Sequence, residues 1–240
     1  MDCVSSCLRQ LAWNLCGYDS NVPENEHLPI HIPVEYSIPK IEPRVEPLPV
    51  QIVIRQPTTV TRLTEKYFPY IQGPSRGRES PEESRLKGIA MHTAIEQFFL
   101  RGVRTNTREF VHFEYYNKRM KSQGYLPMQV EKKVRDAELQ LSGCVDMLYV
   151  REGRVWIVDW KRIHALDKTG VSQGLSPFEK LPNCNLYKYT LQLNLYKFLL
   201  EKNYDMKVDG MSIVILHPEN GRYFSVDVDD MQDLVSVIVR

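Results

Sequence analysis

The segment from Gly143 to Lys161 constrains this chain more than any other, because its spacing reads as one tight β-hairpin. Glu152-Gly153 suits a two-residue turn, with Gly supplying the positive φ that such turns need. Arg151 then faces Arg154, Val150 faces Val155, Leu148 faces Ile157, and Asp146 falls opposite Asp159. Side chains alternate faces along a strand, so Lys161 shares the face of Asp159. Facing carboxylates on adjacent strands are about 4.5–5.5 Å apart at Cβ and repel each other. Apolar flanks on both sides imply burial, which raises the cost. A divalent cation relieves the repulsion, and so does a proton shared between the two acids. Asp-x-Lys alone is common at solvated strand ends; the facing Asp146 distinguishes this one.

A 42% apolar content over 240 residues supports one globular domain with a full core, plus some non-core chain. The net charge of +1 does not argue against a nucleic-acid partner, since an acidic centre can offset a basic groove. Cysteines 3, 7, 16, 144 and 184 are scattered and odd in number, which fits a reducing compartment better than a disulfide framework. No run approaches the roughly 18–20 apolar residues that cross a membrane, and no secretory signal is evident. An intracellular protein with no membrane association is expected.

Three regions follow from the pattern. Residues 1–20 hold a possible short amphipathic helix. Residues 21–57 are punctuated by prolines at a density that excludes helix and central strand, giving an extended arm or linker open to a protein partner. Residues 58–240 form the domain proper. Ser80, Pro81 and Glu83 start a helix running to about Leu100, and 110–123 reads as a second helix. Strands are expected over 128–135 and 138–150, joined at Asp136-Ala137, and the hairpin continues the sheet. A two-residue first turn places Glu131 opposite Ser142, on the carboxylate face; a slip of one residue reverses that. A loop over 163–183, a helix over 185–202, strands over 211–216 and 223–228, and a closing helix complete an α+β (mixed α/β) domain on one sheet.

Gly88-Ile-Ala-Met-His92, Glu131, Gly143-Cys-Val-Asp146, Asp159-Trp-Lys161 and Gln192-Leu-Asn-Leu-Tyr196 occur in the order and spacing of the RecB-type nucleases of the PD-(D/E)xK superfamily. Val60-Thr61-Arg62 and Ile157-Val158-Asp159-Trp160-Lys161 resemble the mitochondrial genome maintenance exonucleases most. The resemblance covers about residues 57–230. It implies a central mixed β-sheet flanked by helices. It also implies an exonuclease on single-stranded or flapped DNA, in replication, repair or recombination, with a mitochondrial location as one possibility. Magnesium or manganese would be held by His92, Asp146 and Asp159, with Glu131 assisting, and Lys161 would be the catalytic cation. Gln192 and Tyr196 would contact substrate or the lysine. Thr61, Arg62 and Arg162 are candidate substrate contacts, although Arg162 stands where many members of the family carry Thr or Ser. The downstream cysteines of iron–sulfur relatives are missing, so no cluster is expected.

Blander roles exist for each residue. His92 could pair with Glu96 one turn later. Glu131 could be an exposed strand residue, and Gln192 could flank a core stripe of Leu191, Leu195 and Leu199. Gly88 would let its helix approach the sheet closely. Tyr67, Phe68 and Tyr70 could stack on unpaired bases, although aromatics at that spacing are more often core. A free lysine is a poor base at neutral pH, so Lys161 must be depressed by burial or act through its charge. The alternative to an enzyme is a catalytically silent nucleic-acid-binding module of the same fold.

Overall fold

The computed structural model describes residues 56–69 and 79–240. The expected N-terminal helix, nearly all of the proline-punctuated arm, and Tyr70 lie outside them. The elements run β1 (Thr58–Thr59), α1 (Val60–Tyr67), α2 (Pro81–Arg101), α3 (Arg108–Ser122), β2 (Leu126–Asp136), β3 (Leu141–Arg151), β4 (Arg154–Lys161), α4 (Asn185–Asn203), β5 (Lys207–Ile215), β6 (Phe224–Asp227) and α5 (Gln232–Ile238). This is the mixed α/β architecture expected, a central sheet with helices on both faces.

Hydroxyl caps start the first three helices. Thr59, Ser80 and Thr107 each accept the backbone N–H three residues on, at 3.2, 3.2 and 3.3 Å. Pro81 takes the first helical position of α2, and Gly102 ends that helix in the left-handed region at φ 69°. The short α1 was not anticipated, because its β-branched start reads as extended chain. Its buried residues are Val60, Leu63, Thr64 and Tyr67, a helical stripe whose value appears only once α4 is there to cover it.

The sheet order is β1-β3-β4-β5-β6, with β2 on the remaining edge of β3. Neighbours β2/β3, β3/β4 and β5/β6 are antiparallel, whereas β4 and β5 run parallel with α4 in the connection between them. The β3–β4 register follows the predicted spacing from Arg151↔Arg154 to Met147↔Val158 and stops there, so the expected pairing of Asp146 with Asp159 is not formed. Its turn uses Glu152 at φ 52° and Gly153 at φ 76°.

The β2–β3 turn differs from expectation. Four residues, 137–140, separate the strands, and Asp136 pairs with Leu141. Asp136 explains the longer turn. Its buried carboxylate accepts the Leu139 amide at 2.9 Å and Asn203 Nδ2 at 3.0 Å, and it ion-pairs with Lys202 at 2.8 Å. Burial opposes that charge, but these partners outweigh it and hold the carboxyl down at about 2.

Two apolar layers sandwich the sheet. One joins α1, α4 and α5 to Val145, Leu148, Val155 and Ile157. The other joins α2 and α3 to Met147, Tyr149, Val158 and Trp160. Trp160 is 1% exposed and meets Phe113 and Tyr116 edge-on, at 5.6 and 5.4 Å between centroids. With Trp160 held under α3, alternation turns its neighbours Asp159 and Lys161 to the α4 side.

Replacing Trp160 with Ala is expected to destabilise the fold by about 3–5 kcal/mol, with Trp160→Phe recovering much of the loss; denaturant melts of the three proteins measure this. Asp136→Asn should cost about 1–2 kcal/mol at neutral pH. Because the folded carboxyl titrates below its ordinary 3.8, its contribution is present above that pH and vanishes as pH falls through about 2. Stability curves of the two proteins should therefore converge in acid.

Candidate active site

Strands β3 and β4 part company after Met147↔Val158, while β4 stays paired with β5 as far as Lys161↔Ile215. At the fork the Trp160 amide turns to the Asp146 side chain and donates to Oδ2 at 2.8 Å. A carboxylate thus stands where a ladder carbonyl would otherwise be. On β2, Val130↔Met147 and Lys132↔Val145 bracket Glu131, placing it opposite Asp146 instead of Ser142. The turn longer than expected keeps the parity, so the carboxylate face survives the correction. By register Glu131 faces Asp146, while Asp159 lies across the fork, beyond the last β3–β4 pair.

Alternation breaks around Glu131 and Asp146. Val145 packs in the α4-side layer although Met147, two residues on, packs under α2 and α3; Val134 and Val130 are divided in the same way. Glu131 sits between the β2 pair with φ 47°, a left-handed geometry uncommon for a residue with a Cβ. The reversal there redirects the Glu131 carboxylate toward α2, where His92 waits.

His92 Nδ1 lies 3.6 Å from Glu131 Oε1 and 3.7 Å from Asp146 Oδ2, ion-pair distances too long for hydrogen bonds. Donor atoms of these three residues all fall within 4.8 Å of one another. The compact donor set therefore contains Glu131 where the sequence pointed to Asp159. Asp159 is 1% exposed and its Oδ2 lies 2.6 Å from Lys161 Nζ. The ammonium engages Oδ2, and Oδ1 is buried with no hydrogen-bond partner among the described residues.

The electrostatics follow from three acids in a dry place. Burial opposes the charge on His92, but Asp146 and Glu131 outweigh it and lift the imidazole to about 9. Burial pushes the Asp146 carboxyl up, with His92 pulling against it and Asp159 adding to the rise. For Glu131 burial also resists ionisation, and contacts with His92 and Cys144 reverse the direction. Burial likewise opposes the Lys161 charge, yet Asp159 and Asp146 hold the ammonium protonated well above the ordinary lysine range.

One face of α4 frames the lysine. Its Nζ sits 4.5 Å over the Tyr189 ring and 3.4 Å from Gln192 Oε1, and Gln192 Nε2 donates to the Tyr196 hydroxyl at 3.2 Å. Tyr189 precedes Gln192 by one turn, so its place was available from helical spacing and was overlooked. Cys144, also unanticipated, donates its thiol to Glu131 Oε2 at 3.1 Å. It stands two residues before Asp146.

Other expected contacts lie elsewhere. Arg162 is 8% exposed, and its guanidinium is engaged by Glu79 at 2.7 and 2.9 Å and by Glu109 at 2.8 Å. It pins the approach to α2 onto α3, which leaves it poorly placed to meet a phosphate. Thr61 and Arg62 are exposed on the first turn of α1, with no hydrogen bond or ion pair to the carboxylates among the described residues. Tyr67 and Phe68 are core, at 2% and 1% exposure. A Cβ on Gly88 would meet nothing within 4 Å, so no close approach requires that glycine.

Residues 104–239 match the family model of the PD-(D/E)XK nuclease superfamily. The chain belongs to that superfamily. Among solved structures it is similar to one named "Crystal structure of SSO0001", at 15% identity over 76% of this chain and 71% of that one, with a TM-score of 0.32, too slight a likeness to inform function. No curated protein matches. None of these comparisons singles out the mitochondrial genome maintenance exonucleases.

PD-(D/E)XK nucleases are phosphodiester hydrolases that use divalent metals, and the residues here fit one. The donor set is rich in carboxylate oxygen with one imidazole, which suits a hard or borderline divalent ion. The Oδ1 of buried Asp159, which has no hydrogen-bond partner among the described residues, offers further lone pairs. Within this PD-(D/E)XK site, Gly143 is where β3 lets α4 in. A Cβ there would lie 2.6 Å from Tyr196 Cε1 and 3.1 Å from Val60 Cγ2. Gly143→Ala should therefore cost about 1–3 kcal/mol in a denaturant melt, and an unchanged midpoint would show that the ring yields freely.

Proposed function

We propose that this chain is a magnesium- or manganese-dependent deoxyribonuclease, acting as an exonuclease on single-stranded or flapped DNA. The observation that carries the reading is the Lys161 ammonium, 2.6 Å from the buried Asp159 carboxylate at the mouth of the strand fork. Beside it stand the donors of His92, Glu131 and Asp146. An isolated pair of this kind would be a stability cost; next to a cluster of donors it is a catalytic constellation. The preference for free ends and single strands rests on the sequence resemblance of the Asp159-Trp160-Lys161 and Val60-Thr61-Arg62 segments.

His92, Glu131, Asp146 and Asp159 would hold the ion, which when bound supplies Lewis acidity at the scissile phosphate. Asp146 has a second task, because its bond to the Trp160 amide keeps the fork open at a set width. Lys161 works as a cation rather than a base, since its carboxylate neighbours favour the protonated form. Placed there, an ammonium orients the attacking water and stabilises negative charge growing on the phosphoryl oxygens. Tyr189 and Gln192 limit where that charge can go, one beneath it and one beside it.

Lys161→Ala and Asp159→Asn should each lower cleavage of end-labelled DNA by about 100-fold or more while the circular dichroism spectrum is retained. Unchanged turnover of both variants, in magnesium and in manganese, would refute the assignment. Circular single strands should resist the enzyme and linear ones should not; equal cleavage of both would replace the exonuclease with an endonuclease. Tight DNA binding without metal-stimulated cleavage by the unaltered chain would instead mark a silent binding module.

A further inference from the structure

A second group of metal-ligating side chains lies at the adjoining ends of β4 and β5 and shares no residue with the nuclease centre. His164 follows β4 in the chain, and His217 follows β5. Because β4 and β5 are parallel neighbours, these ends emerge side by side. The two imidazoles stack with centroids 3.6 Å apart and planes tilted by 33°. Glu219 completes the group, with Oε2 3.6 Å from His164 Nε2. One donor atom from each residue lies within 4.8 Å of the other two.

The backbone holds this arrangement in advance. Asn220 Nδ2 donates to the His164 carbonyl at 3.0 Å, and the Asn220 amide donates to the His217 carbonyl at 3.1 Å. One asparagine thus ties both loops together, and Arg108 adds a 3.4 Å contact to the Pro218 carbonyl between them. His217 is 5% exposed, so its ring is anchored, whereas His164 and Glu219 are open to solvent and free to close on a ligand. The His217 Nδ1 accepts the Glu219 amide at 3.3 Å, which requires a neutral ring. An ion taken by Nδ1 would replace that hydrogen bond and leave the ring proton on Nε2. The nearby Arg162 guanidinium is already matched by Glu79 and Glu109.

We propose that His164, His217 and Glu219 form a second metal site, selective for a zinc-class transition ion over magnesium. Two imidazoles and one carboxylate are a borderline-soft set, and magnesium prefers an all-oxygen shell. Ligands on a tetrahedral zinc stand about 3.3 Å apart. The 3.6 Å separation of His164 and Glu219 is close to that, the remaining donors lie within 4.8 Å, and the stacked His164 ring must swing outward for both lone pairs to meet one ion. Water would complete the coordination. The ion would fasten the loop after β4 to the turn after β5, just past the end of the strand that carries Asp159 and Lys161.

Cobalt(II) titration followed by visible absorption tests this in excess magnesium. The proteins compared are the unaltered chain, His164→Ala, Glu219→Gln, and Asp146→Asn as the nuclease-centre control. A cobalt equivalent that persists in Asp146→Asn but weakens by about tenfold or more in His164→Ala and Glu219→Gln is the expected result. Zinc should raise the melting temperature of the first protein and not of the two loop variants. A single equivalent lost in Asp146→Asn and retained in the loop variants overturns the proposal, as does the absence of cobalt binding in Asp146→Asn. Both loop substitutions fall on exposed side chains, so folding is not at stake.

Discussion

The hydrogen bond from the Trp160 amide to the Asp146 carboxylate organises everything around it. Two antiparallel strands that begin at a tight turn would pair along their whole length if nothing intervened. Instead β4 parts from β3 while staying paired with β5, and a carboxylate caps the opening, so the buried amide is satisfied without closing the sheet. On one side of the fork Trp160 is locked into the aromatic layer of α3; on the other, Asp159 and Lys161 are presented to α4. One indole and one hydrogen bond thereby position a dyad.

Charge explains the rest of the site. Three acids on neighbouring strands, two of them buried, would repel one another. The protein answers with two cations from different layers, His92 from α2 beside Asp146 and Glu131, and Lys161 from β4 itself. Neither imidazole nor ammonium saturates the lone pairs, and the Oδ1 of Asp159 is left without a partner among the described residues. Such residual capacity is what distinguishes a site built for a divalent ion from a finished ion-pair network.

Legibility in the sequence followed the range of the interaction. The Glu152-Gly153 turn, the pairing down to Leu148↔Ile157 and the helix start at Ser80 depend on residues a few places apart, and their chemistry was readable. The β2–β3 turn was misread because its length is decided by Asp136 finding Lys202 and Asn203, more than sixty positions away. Helix α1 escaped notice for a similar reason, since β-branched residues form a helix here only against α4 and β3. Arg162 resembled a phosphate contact until Glu79 and Glu109 closed on it.

Alone, the chain of residues determined that Asp159 shares a face with Lys161 and that the hairpin pairs down to Met147↔Val158, because pleat alternation and a two-residue turn leave little freedom there. It also determined the nuclease superfamily through short motifs in order. Tertiary structure decided which acids keep company. The left-handed turn at Glu131 brought that carboxylate to His92, and the fork drew Asp159 to Lys161. Those choices depend on where separate strands and helices come to rest, and distances between elements far apart in the chain are set by packing, not by local preference.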